Sequence, residues 1–279
     1  MAETALSEVK EADATGVISE IYADIRHALR VPMVNLIFRH MATVPGCLEW
    51  VWGTLGPIYT TGQVITAAET LLADRKPLPL HFSASEIASW NIDTAAVART
   101  CESYGRANPV NLLGLKALQF IMVESAQARA RRKPARGQPL KAPAVELPLL
   151  PPMADMATLT GEVKTTLLAL TQQLHGHDGR VIPSFYRHFT AWPGLLAGLR
   201  TQLQPLIDSG SLMEAADALN RNAHGAARML YLDSPVTRIE PPSDAVLASL
   251  TELIDLFPPN ICKMTLIARA LGAAIRAQP

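Results

Sequence analysis

The stretch LIFRHMATVPGCL, residues 36–48, returns as SFYRHFTAWPGLL, residues 184–196, with Arg39/Arg187, His40/His188, Pro45/Pro193, Gly46/Gly194 and Leu48/Leu196 in register. Two further pairings keep nearly the same offset. Thr15-Gly16 precedes the first copy much as Thr160-Gly161 precedes the second, and Pro109 falls opposite Pro259. A duplicated unit of roughly half the chain is the simplest explanation. Two similar halves usually pack about a pseudo-two-fold axis, as two copies do in a dimer, so a crevice on that axis is the first place to look for a site.

Composition narrows what the duplicated unit is made of. Hydrophobic residues make up 49% of the 279 positions but aromatic ones only 5%, with Ala and Leu abundant, which leans to helices packed on helices. Lys plus Arg number 25 and Asp plus Glu also 25, so there is no overall positive field to hold nucleic acid or an anionic membrane. The acidic N-terminus lacks the basic start and apolar core of a signal peptide, and no apolar run is long enough to span a bilayer. A soluble cytoplasmic protein is the expectation. Cys47, Cys101 and Cys262 are odd in number and form no CxxC pair, so they read as buried free thiols.

Along the chain, residues 1–14 are polar and read as frayed. Val17, Ile18, Ile21, Ile25 and Leu29 recur at helical spacing, predicting a first helix to about Leu29. A short apolar helix in MVNLIFRHMAT, one started by Pro45, and one from about Gly62 to Asp74 follow. Ser83 with Glu86 forms a capping-box pattern, and Asp93 caps AAVARTCESYG. Asn108-Pro109 then opens a helix that is apolar nearly all round. Residues 130–153, rich in proline and basic residues without a helical period, read as a solvated linker. The second half repeats the plan, with a helix from about Ala157 to Leu174, Ser243-Asp244 capping a later one, and Pro258-Pro259 starting the last. Apart from a few residues near Leu232, nothing alternates at strand period. The expected fold is all-α: two helical repeats, 15–130 and 155–279, joined by a linker at 131–154 and packed as a pseudo-dimer.

With the repeat in place, the chain resembles the group I 2-haloacid dehalogenases, which hydrolyse D- and L-2-halocarboxylic acids. The likeness covers nearly the whole length. It is carried by Ile21-Tyr22-Ala23-Asp24-Ile25-Arg26, Leu29-Arg30-Val31-Pro32, Ala42-Thr43, Pro45-Gly46, Asn108-Pro109 before Leu112-Leu113, LHGHDG at 174–179, Trp192-Pro193 and Leu247-Ala248-Ser249-Leu250-Thr251, in order. The resemblance implies an all-helical pseudo-dimer with the active site between the repeats. It also implies direct attack of water on the halogen-bearing carbon, the water being activated by an aspartate aided by an asparagine.

The asparagine matches Asn108, but alignment through Ser184 and Trp192-Pro193 puts Phe185 where the aspartate belongs. A phenyl ring accepts no proton. Asp178, in the preceding glycine-containing loop, is the nearest acid and the alternative base. By the same resemblance the pocket falls on Met33, Leu36, Asn108, Asn111, Ser184, Phe185, Phe257, Asn260, Ile261 and Met264, with Asn111 and Asn260 in aromatic positions of the family. Added amides and a lost carboxylate suit a more polar ligand. The bland alternative makes these asparagines helix caps. Ser184 likewise reads better as a helix N-cap than as a nucleophile, because no base is placed for it.

Arg39-His40 and Arg187-His188 stand apart from the resemblance. Two histidines facing each other across a crevice could bind haem or a metal, and two arginines could clamp a carboxylate or phosphate. Against this, each His could simply end a short helix and bond a carbonyl, while His175 and His177 read as loop histidines. The leading reading is a dehalogenase-like protein that binds a small organic acid without its usual base. A haem or metal carrier using His40 and His188, and a hydrolase using Asp178, are the alternatives. No cofactor is expected under the leading reading, and a homodimer is compatible with it.

Overall fold

The computed structural model describes residues 6–124, 149–176, 181–233 and 242–277. Most of the expected linker, and Asp178 with His177, lie outside the described residues. The chain forms α1 (Gly16–Leu29), α2 (Leu36–Met41), α3 (Cys47–Thr60), α4 (Gln63–Ala73), α5 (Ala84–Ser89) and α6 (Thr94–Met122). It continues with α7 (Gly161–His175), α8 (Ser184–Arg187), α9 (Pro193–Asp208), α10 (Ser211–Asp233) and α11 (Asp244–Arg276). No strand occurs among the described residues. The fold is all-α.

Local signals start several helices where the sequence places them. Ser83 and Glu86 form the reciprocal capping box of α5, and Asp93 Oδ1 accepts from the Ala96 amide at 2.8 Å to open α6. Gly16 and Gly161, each following an extended threonine, have φ of +55° and +68° at the matching starts of α1 and α7. Ser243 takes the N-cap position of α11, but its side chain makes no capping bond.

The prolines do not behave as expected. Pro109 lies inside an unbroken α6, and Pro258-Pro259 lie inside an unbroken α11, so neither pair starts a helix. Each proline removes a backbone donor. The helices continue through because α6 and α11 share the most extensive interface in the molecule and are buried over most of their length, which outweighs a lost local bond. In consequence Asn108, Asn111 and Asn260 sit in mid-helix and cap nothing. α11 is also long and apolar enough to cross a membrane by length and composition, contrary to the reading of the sequence, yet it packs along α6 and α10 as a core helix.

The N-terminal segment is likewise not frayed from residue 6 onward. The Tyr22 hydroxyl donates to the Val9 carbonyl at 2.9 Å, the Val9 amide donates to the Arg39 carbonyl at 3.0 Å, and Glu11 takes Arg26 at 2.6 Å and the Val34 amide at 2.9 Å. These anchors are charged and polar, so no hydrophobic period announces them. The three cysteines are buried and free, and burial pushes the Cys47 and Cys262 thiols up to about 12.

Gly114 shows how tightly α3 and α6 pack. A Cβ there would lie 2.1 Å from the Tyr59 hydroxyl oxygen, and Tyr59 is buried against Trp52. Gly114→Ala is therefore expected to destabilise the protein by about 1–3 kcal/mol in urea unfolding, despite alanine's better helix propensity. Adding Tyr59→Phe should recover part of the loss, because the Tyr59 hydroxyl has no hydrogen-bond partner among the described residues.

Candidate functional site

Both halves of the chain meet around a small cavity of about 30 Å³, the room of one water. Asn35, Leu36, Ile37, Tyr104 and Asn108 line it from the first half, and Val181, Pro183, Ser184, Phe257, Ile261 and Met264 from the second. Tyr104 and Asn108 stand one turn apart on the same face of α6. Asn35, just before α2, donates from Nδ2 to Asn108 Oδ1 at 3.2 Å. Both asparagines are buried, and Asn35 Oδ1 and Asn108 Nδ2 have no hydrogen-bond partner among the described residues. Such orphaned amide atoms are costly in a core and commonly mark a binding site.

Leu36 also lines a neighbouring cavity of about 140 Å³, together with Glu8, Asp155 and Arg187. Here the repeated Arg-His pairs find their purpose. Arg39 Nε lies 2.5 Å from one Glu8 oxygen, and Arg187 Nη1 lies 3.0 Å from the other. Arg39 also donates to the Val34 carbonyl and, at 2.9 Å, to Ser184 Oγ. Ser184 is thus the first residue of α8, with Pro183 at the N-cap position, and its hydroxyl serves Arg39 and Tyr104 instead of a helix end. Burial alone would raise the Glu8 pKa, but the Arg39 charge and hydrogen bonds from both arginines hold it below the usual carboxylate range.

The histidines are each held by chain that lies one helix earlier, before α1 for His40 and before α7 for His188. His40 Nδ1 donates to the Ser7 carbonyl at 2.7 Å, and His188 Nδ1 donates to the Pro151 carbonyl at 2.6 Å. Burial pushes His188 down to about 4, with the Arg39 and Arg187 charges adding to it and the Pro151 bond opposing. Among the described residues no group of three or more His, Cys, Asp or Glu is placed to hold a metal.

Of the residues expected in the pocket, Leu36, Asn108, Ser184, Phe257, Ile261 and Met264 come together. Met33, Asn111, Phe185 and Asn260 are buried but do not line the cavity. The Phe185 ring packs instead into an aromatic cluster, 5.3 Å from Tyr104, 5.2 Å from Tyr186 and 4.9 Å from Phe189. Asn260 bonds back to the Leu256 carbonyl and accepts from His175 Nδ1 at 2.8 Å. His175 ends α7 and is not a loop residue. Burial, then the Lys263 charge, push it down to about 4 against the Asn260 bond.

Sequence reasoning missed Asn35 and Tyr104. Spacing on α6 signals Tyr104, one turn before Asn108. Asn35 has no counterpart signal, since Pro183 stands at the matching place in the second copy. Among the described residues no acid lines the inner cavity. The outer one has Glu8 and Asp155, both committed to cations, with Asp155 2.6 Å from Lys10.

No protein-family model matches the chain. It is 42% identical over 53 residues to an (R)-2-haloacid dehalogenase of Pseudomonas putida, covering 19% of this chain and 18% of that protein. It is 30% identical over 200 residues to a configuration-inverting 2-haloacid dehalogenase of Alcaligenes xylosoxydans xylosoxydans, covering 68% and 65% respectively. The matched stretches thus span less than two thirds of either relative's own length. Solved structures align far more completely. A D-2-haloacid dehalogenase mutant superposes with a TM-score of 0.77 at 18% identity, over 99% of this chain and 97% of that one. A D-2-haloacid dehalogenase with L-LA superposes at 0.75 and 18% identity, over 99% and 98%. At that identity the structural likeness speaks for the fold. Together with the 200-residue sequence match, it makes this chain a divergent member of the group I 2-haloacid dehalogenase-like proteins.

Proposed function

We propose that the chain binds a small organic acid between two halves that arose by duplication, residues 15–130 and 155–279, and that it lacks the hydrolytic dehalogenase activity of its relatives. The observation that carries this reading is the pair of facing amides, Asn35 and Asn108, whose polar atoms left without a partner among the described residues border a cavity that no described acid lines. An amide orients water or a ligand oxygen, but it is too weak a base to strip a proton from water during displacement. Glu8 is no substitute, since two arginines hold it ionised and weakly basic.

Solved relatives in complex with D-2-CPA and L-LA support a small acid as the ligand class. The inner cavity is smaller than any 2-haloacid, so binding requires Leu36 to move and join it to the outer cavity. There Arg187, and Arg39 beside it, attract the carboxylate. No cofactor takes part.

The test is calorimetric titration with 2-chloropropionate and with lactate, beside an assay of chloride release. Wild-type protein is expected to bind at least one acid saturably, to bind it about tenfold more weakly as Asn108→Ala, and to release no chloride. Wild-type chloride release would overturn the reading. Its loss in Asp178→Asn would then assign the base to Asp178, and its persistence there would send the search elsewhere. Phe185→Asp, run alongside, shows whether a carboxylate at that position reaches the cavity.

A further inference from the structure

On the other side of α6 from Asn108 lies a larger cleft of about 540 Å³, walled by α4, α6 and the end of α11. Its volume is in the range of small-molecule pockets. Arg30, Arg106, Arg269 and Arg276 line it against two acids, Glu69 and Glu102, in a chain whose charges cancel overall. Arg106 is paired with Glu102 at 3.3 Å, and Arg269 donates to the Leu72 and Arg75 carbonyls at 3.3 Å. The side chains of Arg30 and Arg276 make no hydrogen bond or ion pair among the described residues, although the Arg30 backbone amide closes the end of α1 on the His27 carbonyl. Ile65, Leu72, Pro109 and Val110 give the cleft an apolar wall, and Gly105 leaves open space where a side chain would stand.

We infer that this cleft is a second ligand site, separate from the cavity between the halves, and that it takes an organic anion with an apolar body, such as a medium-chain carboxylate. The unpaired guanidiniums of Arg30 and Arg276 hold the head group in forked, charge-assisted hydrogen bonds. The apolar wall takes the tail, and the missing side chain at Gly105 provides its depth. A purely inorganic anion would leave that wall wet, and an uncharged alcohol would leave the guanidiniums without a partner.

The probe is octanoate, titrated by calorimetry at low ionic strength against wild-type protein. Saturable binding at one site is expected with a dissociation constant near or below about 1 mM, the range a ligand of this size reaches. Octanol and acetate should each bind at least about tenfold more weakly. Arg30→Gln combined with Arg276→Gln should weaken octanoate by a similar factor. Gly105→Leu, which fills the cleft at a helical position that favours leucine over glycine, should abolish binding while leaving the unfolding midpoint unchanged or higher. Asn108→Ala should leave octanoate binding untouched, which keeps this result independent of the small-acid reading. Absence of saturable binding overturns the inference. So does binding that survives the double arginine variant and Gly105→Leu, or binding lost in Asn108→Ala.

Discussion

Replacing Glu8 with glutamine is expected to destabilise this protein by about 3–5 kcal/mol, the cost of leaving buried guanidiniums without their counter-charge. Arg39 is 2% exposed and Arg187 5%, and both point their charge at the two oxygens of one carboxylate. The two copies of the repeated Arg-His motif thus converge on a single acid contributed by the N-terminal strap. Desolvation of three charged groups is expensive, so the triad need not add net stability over an apolar replacement; removing the shared partner is what costs. A triple variant, Glu8→Leu with Arg39→Met and Arg187→Met, is accordingly expected to recover much of the loss. Urea unfolding of both variants checks this. A loss under about 1 kcal/mol for Glu8→Gln would mean that the arginines reach water by themselves. Because the folded-state pKa of Glu8 is lowered, its contribution is present above its unfolded value and lost as pH falls through the folded one.

Acid should destabilise the protein earlier than its carboxylates alone would dictate. His175 and His188 are both pushed down to about 4. In the unfolded chain they titrate near about 6.5. Between those values the unfolded state binds more protons than the folded one, so stability rises with pH there and falls as pH drops from 6.5 toward 4. Each histidine contributes on the order of 3 kcal/mol to that fall. Below about 4 the effect is complete, and the loss of Glu8 ionisation takes over. Unfolding measured across this range should show the slope, and His188→Gln or His175→Gln should each remove about half of it. A flat profile between pH 6.5 and 4.5 in the wild-type protein would show that the two imidazoles protonate in the folded state without cost.

Neither effect is visible in the sequence, and the reason is the same. Glu8 lies in a polar stretch with no hydrophobic period, and it becomes structural only because α2 and α8 present their arginines to the same place. His175 sits beside glycines that suggest a loop, and it is half-buried only because Asn260 and Lys263 of α11 pack over the end of α7, with Lys263 Nζ 2.6 Å from the Leu174 carbonyl. The prolines mislead in the opposite sense. Pro109, Pro258 and Pro259 carry strong local signals to break a helix, and burial on both long helices overrides them.

Residue pattern alone was enough for the helical class and for the starts of α5 and α6, because periodicity and capping chemistry are written in neighbouring positions; the six expected residues that meet around the inner cavity came from the family resemblance instead. Tertiary structure alone decided that Phe185 turns into an aromatic cluster, that Asn35 meets Asn108, and that one glutamate answers two arginines. Those are contacts between positions far apart in the chain, whose partners are chosen by how apolar faces close over one another, and no local spacing records that choice.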